Sequence, residues 1–348
     1  MARLLVAALR AGGHAVTLPS ALRSHAKTPE PATLAALEAA SMSEVQRLLT
    51  HWAGEGAAEK PQVWFTYHLY YKAPDLVGPA VARALAIPYV VAEASHAGKR
   101  SKDGWAAWQA HAEAGLTQAA AVFCLTRVDR EGLEQLGLAA EKLVDLPPFL
   151  DAKAPGPRVN VAAPPRLITI AMMRDGAKLE SYRFLAQALA LLADRGFAPA
   201  FHLDIIGDGP ARPAVEAAFA ALPPGSVTFH GQLPRESIGD LLAAATLFVW
   251  PGFGEAFGLA YLEAQAAGVP VVALDCGGIA STLVPGITGL LVARPEPQAY
   301  AAAVASLLRN PGRCRTMATA AARFIGTERS LLRAAAILEA GIRKGLTQ

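Results

Sequence analysis

Two glutamates, Glu255 and Glu263, stand in GEAFGLAYLEAQAAGVPVV (254–272), a run otherwise almost wholly small or apolar. A carboxylate taken out of water without a partner costs several kcal/mol, so both side chains call for something to hold. Strand Leu247–Trp250 leads into the turn PGFGEAFG, and a helix begins near Gly258. That places Glu255 in the loop and Glu263 about one and a half turns into the helix. Free amides at a helix start attract anions, and a glycine there lets a phosphate come close to the backbone. At about 1.5 Å rise per residue, Glu263 lies roughly 7 Å further on, a distance suited to a ribose whose diphosphate sits at the helix end.

Short β-branched runs alternate with alanine- and leucine-rich helical stretches along the whole chain, the pattern of βα units in parallel sheets. In the first half, strands are expected at Ala15–Leu18, Val63–Thr66, Tyr89–Ala92, Ala121–Leu125 and Leu143–Asp145. The proline-rich tract 145–166 then lacks helical period and reads as a linker. Further strands are expected at Leu167–Ala171, Phe201–Ile206, Val227–His230, Leu247–Trp250, Val269–Leu274 and Gly289–Val292. From Pro297 three helical stretches follow, broken at Asn310-Pro311-Gly312 and at Gly326-Thr327. The fold class is therefore α/β, two tandem doubly wound parallel-sheet (Rossmann-like) domains facing a cleft. The expected divisions are residues 1–148, a linker at 149–166 and a second domain at 167–327, with helix 328–348 packing back on the first.

The run from Glu255 to Glu263, followed by Gly268-Val-Pro-Val-Val and Gly277-Gly278, resembles the E-x7-E signature of the family 4 retaining glycosyltransferases of the GT-B fold. The likeness extends to AMMRDGAKLE (171–180), LDIIGDGPAR (203–212) and VTFHGQLP (227–234), and more loosely to GGHAV (12–16) and AIPYVVAEASH (86–96). It implies an enzyme that moves a sugar from a nucleotide-sugar donor to an acceptor hydroxyl with retention of configuration. The acceptor is a saccharide, a lipid-linked molecule or another small molecule. The resemblance places Glu255 on hydroxyls of the donor sugar and Glu263 on the ribose. Phe257, Gly258 and Leu259 border the donor at the helix start, and Arg174 and Lys178 neutralise the diphosphate. It also places His96 beside the donor sugar. Preorganised cations and helix amides can stabilise the leaving group, and no D-x-D occurs among the aspartates, so chemistry without metal or cofactor is expected. Retention can also use two carboxylates as hydrolases do, but the resemblance implies front-side displacement assisted by the leaving phosphate, with Glu255 positioning the sugar.

Plainer roles exist for the same residues. Glu255 can serve as a helix-dipole partner, Glu263 as a half-exposed helix residue, and Arg174 and Lys178 as surface charges. His96 fits a turn residue, Asp208 in GDG a turn residue too. His68, in TYHLYYKAPD (66–75), fits acceptor contact or aromatic packing with Tyr67, Tyr70 and Tyr71. Lys99, Arg100 and Lys102 fit a solvated loop, an acceptor phosphate or an acidic membrane surface. Two other functions compete: a nucleotide-sugar-binding protein without turnover, and a nicotinamide dehydrogenase. The second is disfavoured because Gly252, Gly254 and Gly258 give G-x-G-x-x-x-G where the usual fingerprint is G-x-G-x-x-G.

The 348 residues suffice for two domains, and 53% hydrophobic with 18% charged residues describes a globular chain. A net charge of +3 with interspersed signs argues against nucleic acid as a main partner. Cys124, Cys276 and Cys314 are widely spaced and suggest neither disulfides nor a zinc site. A cytoplasmic protein is expected, with membrane contact at most peripheral to the inner face. The start ARLLVAALRAGGHAV reads as a helix closed by Gly12-Gly13 where a doubly wound domain should open on a strand. The first strand of this domain is thus expected to be missing, through a start assigned too far downstream, with weak catalysis as the consequence.

Overall fold

A computed structural model describes residues 1–54, 60–96, 98, 104–151, 164–194 and 200–346. Most of the tract expected as a linker, and Lys99, Arg100 and Lys102, lie outside the described residues. The chain divides into two compact units, Met1–Pro147 with Leu332–Gln348, and Pro148–Leu331.

In chain order the first unit holds α1 (Ala2–Ala11), α2 (Pro31–Ala53), β1 (Trp64–Tyr67), α3 (Gly78–Leu85), β2 (Tyr89–Ala92), α4 (Ala106–Gln118), β3 (Ala121–Cys124), α5 (Arg127–Gln135) and β4 (Leu143–Asp145). All four strands are parallel and lie side by side in chain order. Every residue of β2 and β3 is buried, which is why these runs are continuously apolar instead of alternating. One correction to the sequence reading follows. Ala15–Leu18 is irregular and Leu18 is 83% exposed; among the described residues no strand precedes β1, which lies at the sheet edge. A strand exists only as one side of a ladder, and the β propensity of four residues before Pro19 does not supply a partner. The described strands of this unit run in one sweep.

The second unit holds β5 (Arg166–Ile170), α6 (Ala177–Asp194), β6 (His202–Ile206), α7 (Arg212–Ala218), β7 (Val227–Gly231), α8 (Arg235–Ala244), β8 (Leu247–Val249), α9 (Leu259–Ala266), β9 (Val271–Leu274), β10 (Gly289–Val292), α10 (Pro297–Leu308) and α11 (Pro311–Glu328). Its six strands are parallel in the order β10-β9-β8-β5-β6-β7. Strand order therefore reverses between β5 and β8, the topological switch point of a doubly wound sheet. Pro297 and Pro311 open their helices at positions where a missing N–H costs nothing. Gly326-Thr327 does not end α11, which runs on to Glu328; one interior glycine costs only about 1 kcal/mol against alanine, and the face Ala318, Ala321, Ala322, Ile325 is buried.

The last helix, α12 (Leu331–Leu346), returns to the first unit. A Cβ at Gly341 would stand 2.6 Å from the Phe123 ring, so the absence of a side chain seats α12 on β3. His14 Nε2 lies 2.6 Å from Glu339 Oε2 across the same junction. Among the described residues no helix is long and apolar enough to cross a membrane.

Candidate active site

The switch point brings two of the expected residues together. Lys178 lies in the first turn of α6, which follows β5, and Glu255 lies in the loop after β8. Their side chains form an ion pair with 24% and 17% side-chain exposure. The indole N–H of Trp250, directly after β8, donates to Glu255 Oε1 at 3.0 Å. Lys178 Nζ stands 5.6 Å from the centre of the Trp250 ring, within cation–π range. Trp250 itself is 1% exposed and is wedged at 4.8 Å, edge to face, against Tyr182, whose hydroxyl donates to the Ala171 carbonyl at 2.7 Å.

Glycines clear the space for this loop. Gly277 has φ +57°, and a Cβ there would collide with the Glu255 carbonyl. Gly258 caps the start of α9 at φ +73°, where a Cβ would lie 2.6 Å from the Tyr261 ring. The loop is tied down from both sides: Phe253 N–H donates to Ser181 Oγ at 3.0 Å, and Tyr261 O–H donates to the Trp250 carbonyl at 3.2 Å. Complete burial pushes the Tyr261 phenol well up, with the Glu255 charge adding. Burial also raises the Cys276 thiol, helped by Asp275 and Glu255.

Glu263 projects from α9 half-buried, and Arg235 Nη2 donates to its Oε1 at 3.3 Å. Arg174 is exposed in the loop after β5, where its carbonyl accepts from Leu179 N at 3.0 Å and closes the start of α6. Phe257 and Leu259 flank Gly258 and are half-buried. His96 belongs to the first unit. Its Nε2 lies 3.0 Å from Glu113 Oε1 and 3.1 Å from Gln109 Nε2 on α4, with 14% side-chain exposure. Sequence reasoning passed over Trp250, Arg235 and Ser181, since nothing in a strand-end tryptophan announces a bond to a loop glutamate five residues on.

Residues 164–310 match the family model described as Glycosyl transferases group 1. Over that segment, less than half of the chain, the sequence resembles the group 1 glycosyltransferases, and the fold is of GT-B type. A curated relative, D-inositol 3-phosphate glycosyltransferase of Streptomyces griseus subsp. griseus, is 36% identical over 148 residues, 40% of this chain and 31% of that protein. The chain thus matches under a third of the length of that relative. Among solved structures, a glycosyltransferase from Rickettsia africae superposes with TM-score 0.72 at 16% identity, covering 98% of this chain and 94% of the other. HepE of Anabaena, solved in complex with UDP, gives TM-score 0.66 at 18% identity, covering 86% and 82%. At such identities the likeness establishes the fold. The matched segment 164–310 contains the switch point, Lys178, Glu255 and Glu263.

Proposed function

We propose that the chain transfers a sugar from a nucleotide-sugar donor to an acceptor hydroxyl as a family 4 enzyme, with retention, without metal or cofactor, in the cytoplasm. The observation that carries this reading is the Lys178–Glu255 pair at the switch point of a group 1 domain. Without donor, each ion neutralises the other in a site of low exposure. A donor diphosphate competes for Lys178, with Arg174 adding a second cation from the same loop, and Glu255 is released to accept hydrogen bonds from sugar hydroxyls. Amides at the start of α9, beside Phe257, Gly258 and Leu259, receive the phosphate. Glu263 exchanges its exposed Arg235 partner for a ribose diol at little cost, because such surface pairs are worth about 0–1 kcal/mol. His96, held by Glu113 and Gln109 in the first unit, is the residue that the family resemblance assigns to the donor sugar. As the anomeric C–O bond breaks, its electron pair passes to the diphosphate. The acceptor oxygen bonds to that carbon on the same face and gives its proton to the leaving phosphate. Helix amides, Lys178 and Arg174 stabilise the charge.

UDP is the first nucleotide to test, since HepE was solved with it. Calorimetry with UDP, GDP and ADP is expected to show one preferred nucleotide, with weaker binding in Glu263→Ala. Turnover of the matching sugar nucleotide should fall about 100-fold or more in Glu255→Ala, on the scale of losing a transition-state hydrogen-bond group, and should persist in chelator. Nucleotide binding with no transfer to any saccharide or cyclitol would instead support a binding protein without turnover.

A further inference from the structure

The first unit carries a second group of reactive side chains that the donor site does not use. His68 and Glu93 are the residues immediately after β1 and β2, at the carboxyl edge where parallel sheets place ligands. Both are non-glycine residues in left-handed backbone, φ +67° and +57°. Main-chain bonds hold them there: His68 N–H to the Ala92 carbonyl at 2.8 Å, and Glu93 N–H to the Phe123 carbonyl at 3.0 Å. Such conformations persist where the surroundings over-determine them, and they gather at functional sites. Here they aim two side chains at each other across the strands, and His68 Nδ1 lies 3.0 Å from Glu93 Oε1.

That contact fixes the imidazole. With Nδ1–H donated to a carboxylate, Nε2 carries the lone pair, and the His68 side chain is 47% exposed while that of Glu93 is 13% exposed. Burial first, then the nearby Glu93 carboxylate, push the Tyr67 phenol up. Asp129, near enough for its charge to act with that of Glu93, is held by a 2.6 Å bond from Thr126 Oγ1. The rings of Tyr67 and Tyr70 stand 5.6 and 4.7 Å from the imidazole. Two carboxylates beside the imidazole repel an anionic ligand, whereas apolar ring surface with hydrogen-bond acceptors suits a neutral molecule rich in hydroxyls.

We infer that His68, oriented by Glu93, is an acceptor-binding group whose Nε2 takes a hydrogen bond from a hydroxyl of a neutral polyol, a sugar or cyclitol. Its part in sugar transfer rests on the function proposed above; the binding itself does not.

The test is a titration of the 15N-labelled full chain, reading the imidazole nitrogens. The His68 signals are identified by their loss in His68→Asn, chosen because asparagine tolerates left-handed backbone. Methyl α-D-glucopyranoside and myo-inositol are added in turn, with inorganic phosphate and UDP as further arms. A saturable shift of His68 Nε2 with at least one polyol is expected, weakened about tenfold or more in Glu93→Gln, as loss of a charge-assisted hydrogen bond implies. His68 signals unmoved by both polyols, moved by phosphate instead, or equally responsive in Glu93→Gln would overturn the inference. UDP binding alongside a silent His68 removes this site and leaves the donor reading. A polyol response without binding of UDP or any other nucleotide does the reverse.

Discussion

A single hydrogen bond distinguishes the proposed donor site at the residue scale. The Trp250 indole N–H donates to Glu255 from a fully buried ring, so it holds the carboxylate at one angle. Bonds to a charged group contribute about 1.5–3 kcal/mol. Trp250→Phe keeps the ring packing against Tyr182 and removes only the donor. The expected outcome is a fall in turnover of roughly tenfold or more, from that range, with nucleotide affinity changed less than about twofold, because Glu263 and the cations stay in place. Steady-state kinetics beside calorimetry checks this; equal losses in both would mean the indole supports the whole loop.

Across the second unit's sheet, the element scale is dominated by one buried charge. Asp204, in the middle of β6, is 1% exposed. It receives Arg166 of β5 at 2.7 and 2.9 Å, and His230 of β7 lies at 2.7 Å. The three strands are thereby clamped in register next to the switch point. Asp204→Ala leaves the guanidinium and imidazole without their acceptor, and breaking a buried pair costs about 3–5 kcal/mol. Arg166 is 35% exposed and partly rehydrates, so the lower end, about 3 kcal/mol, is expected. Thermal unfolding should then fall by roughly 6–12 °C. The glycines belong to this scale as well. β strands and helices were legible from hydrophobic period, and the glycines of the loop between β8 and α9 from their spacing. The Arg166–Asp204–His230 clamp was not, because its members lie on three strands far apart in sequence.

For the whole molecule, burial of thiols and phenols sets a limit on the alkaline side. Burial pushes the thiol of Cys124 in the first unit up to about 12, and that of Cys314 in the second up to about 11. The phenols of Tyr89, Tyr261 and Tyr300 move the same way. In the unfolded chain the thiols lose their protons from about pH 9, so the native state holds protons that the unfolded state has released. Stability from these groups is complete below about pH 9 and is lost as pH rises toward 11 and 12. The Cys124→Ala/Cys314→Ala chain should show a shallower fall in melting temperature between pH 8 and 11 than the parent, measured by calorimetry. Parallel slopes would mean the thiols carry no part of it.

What the sequence determined alone is what local chemistry dictates. Alternating βα rhythm, the glycine loop after an apolar strand and two carboxylates at an eight-residue spacing are each readable within a short window, and they carry the resemblance to the GT-B glycosyltransferases. Tertiary structure decided which groups meet. Lys178 and Glu255 are 77 residues apart and touch only because strand order reverses between β5 and β8. His68 and Glu93, 25 residues apart, face each other because β1 and β2 pair in parallel with Tyr67 opposite Ala92. Ala15–Leu18 has the composition of a strand and is not one, because backbone hydrogen bonds are satisfied in a sheet only by a neighbour, and a neighbour is a property of the fold.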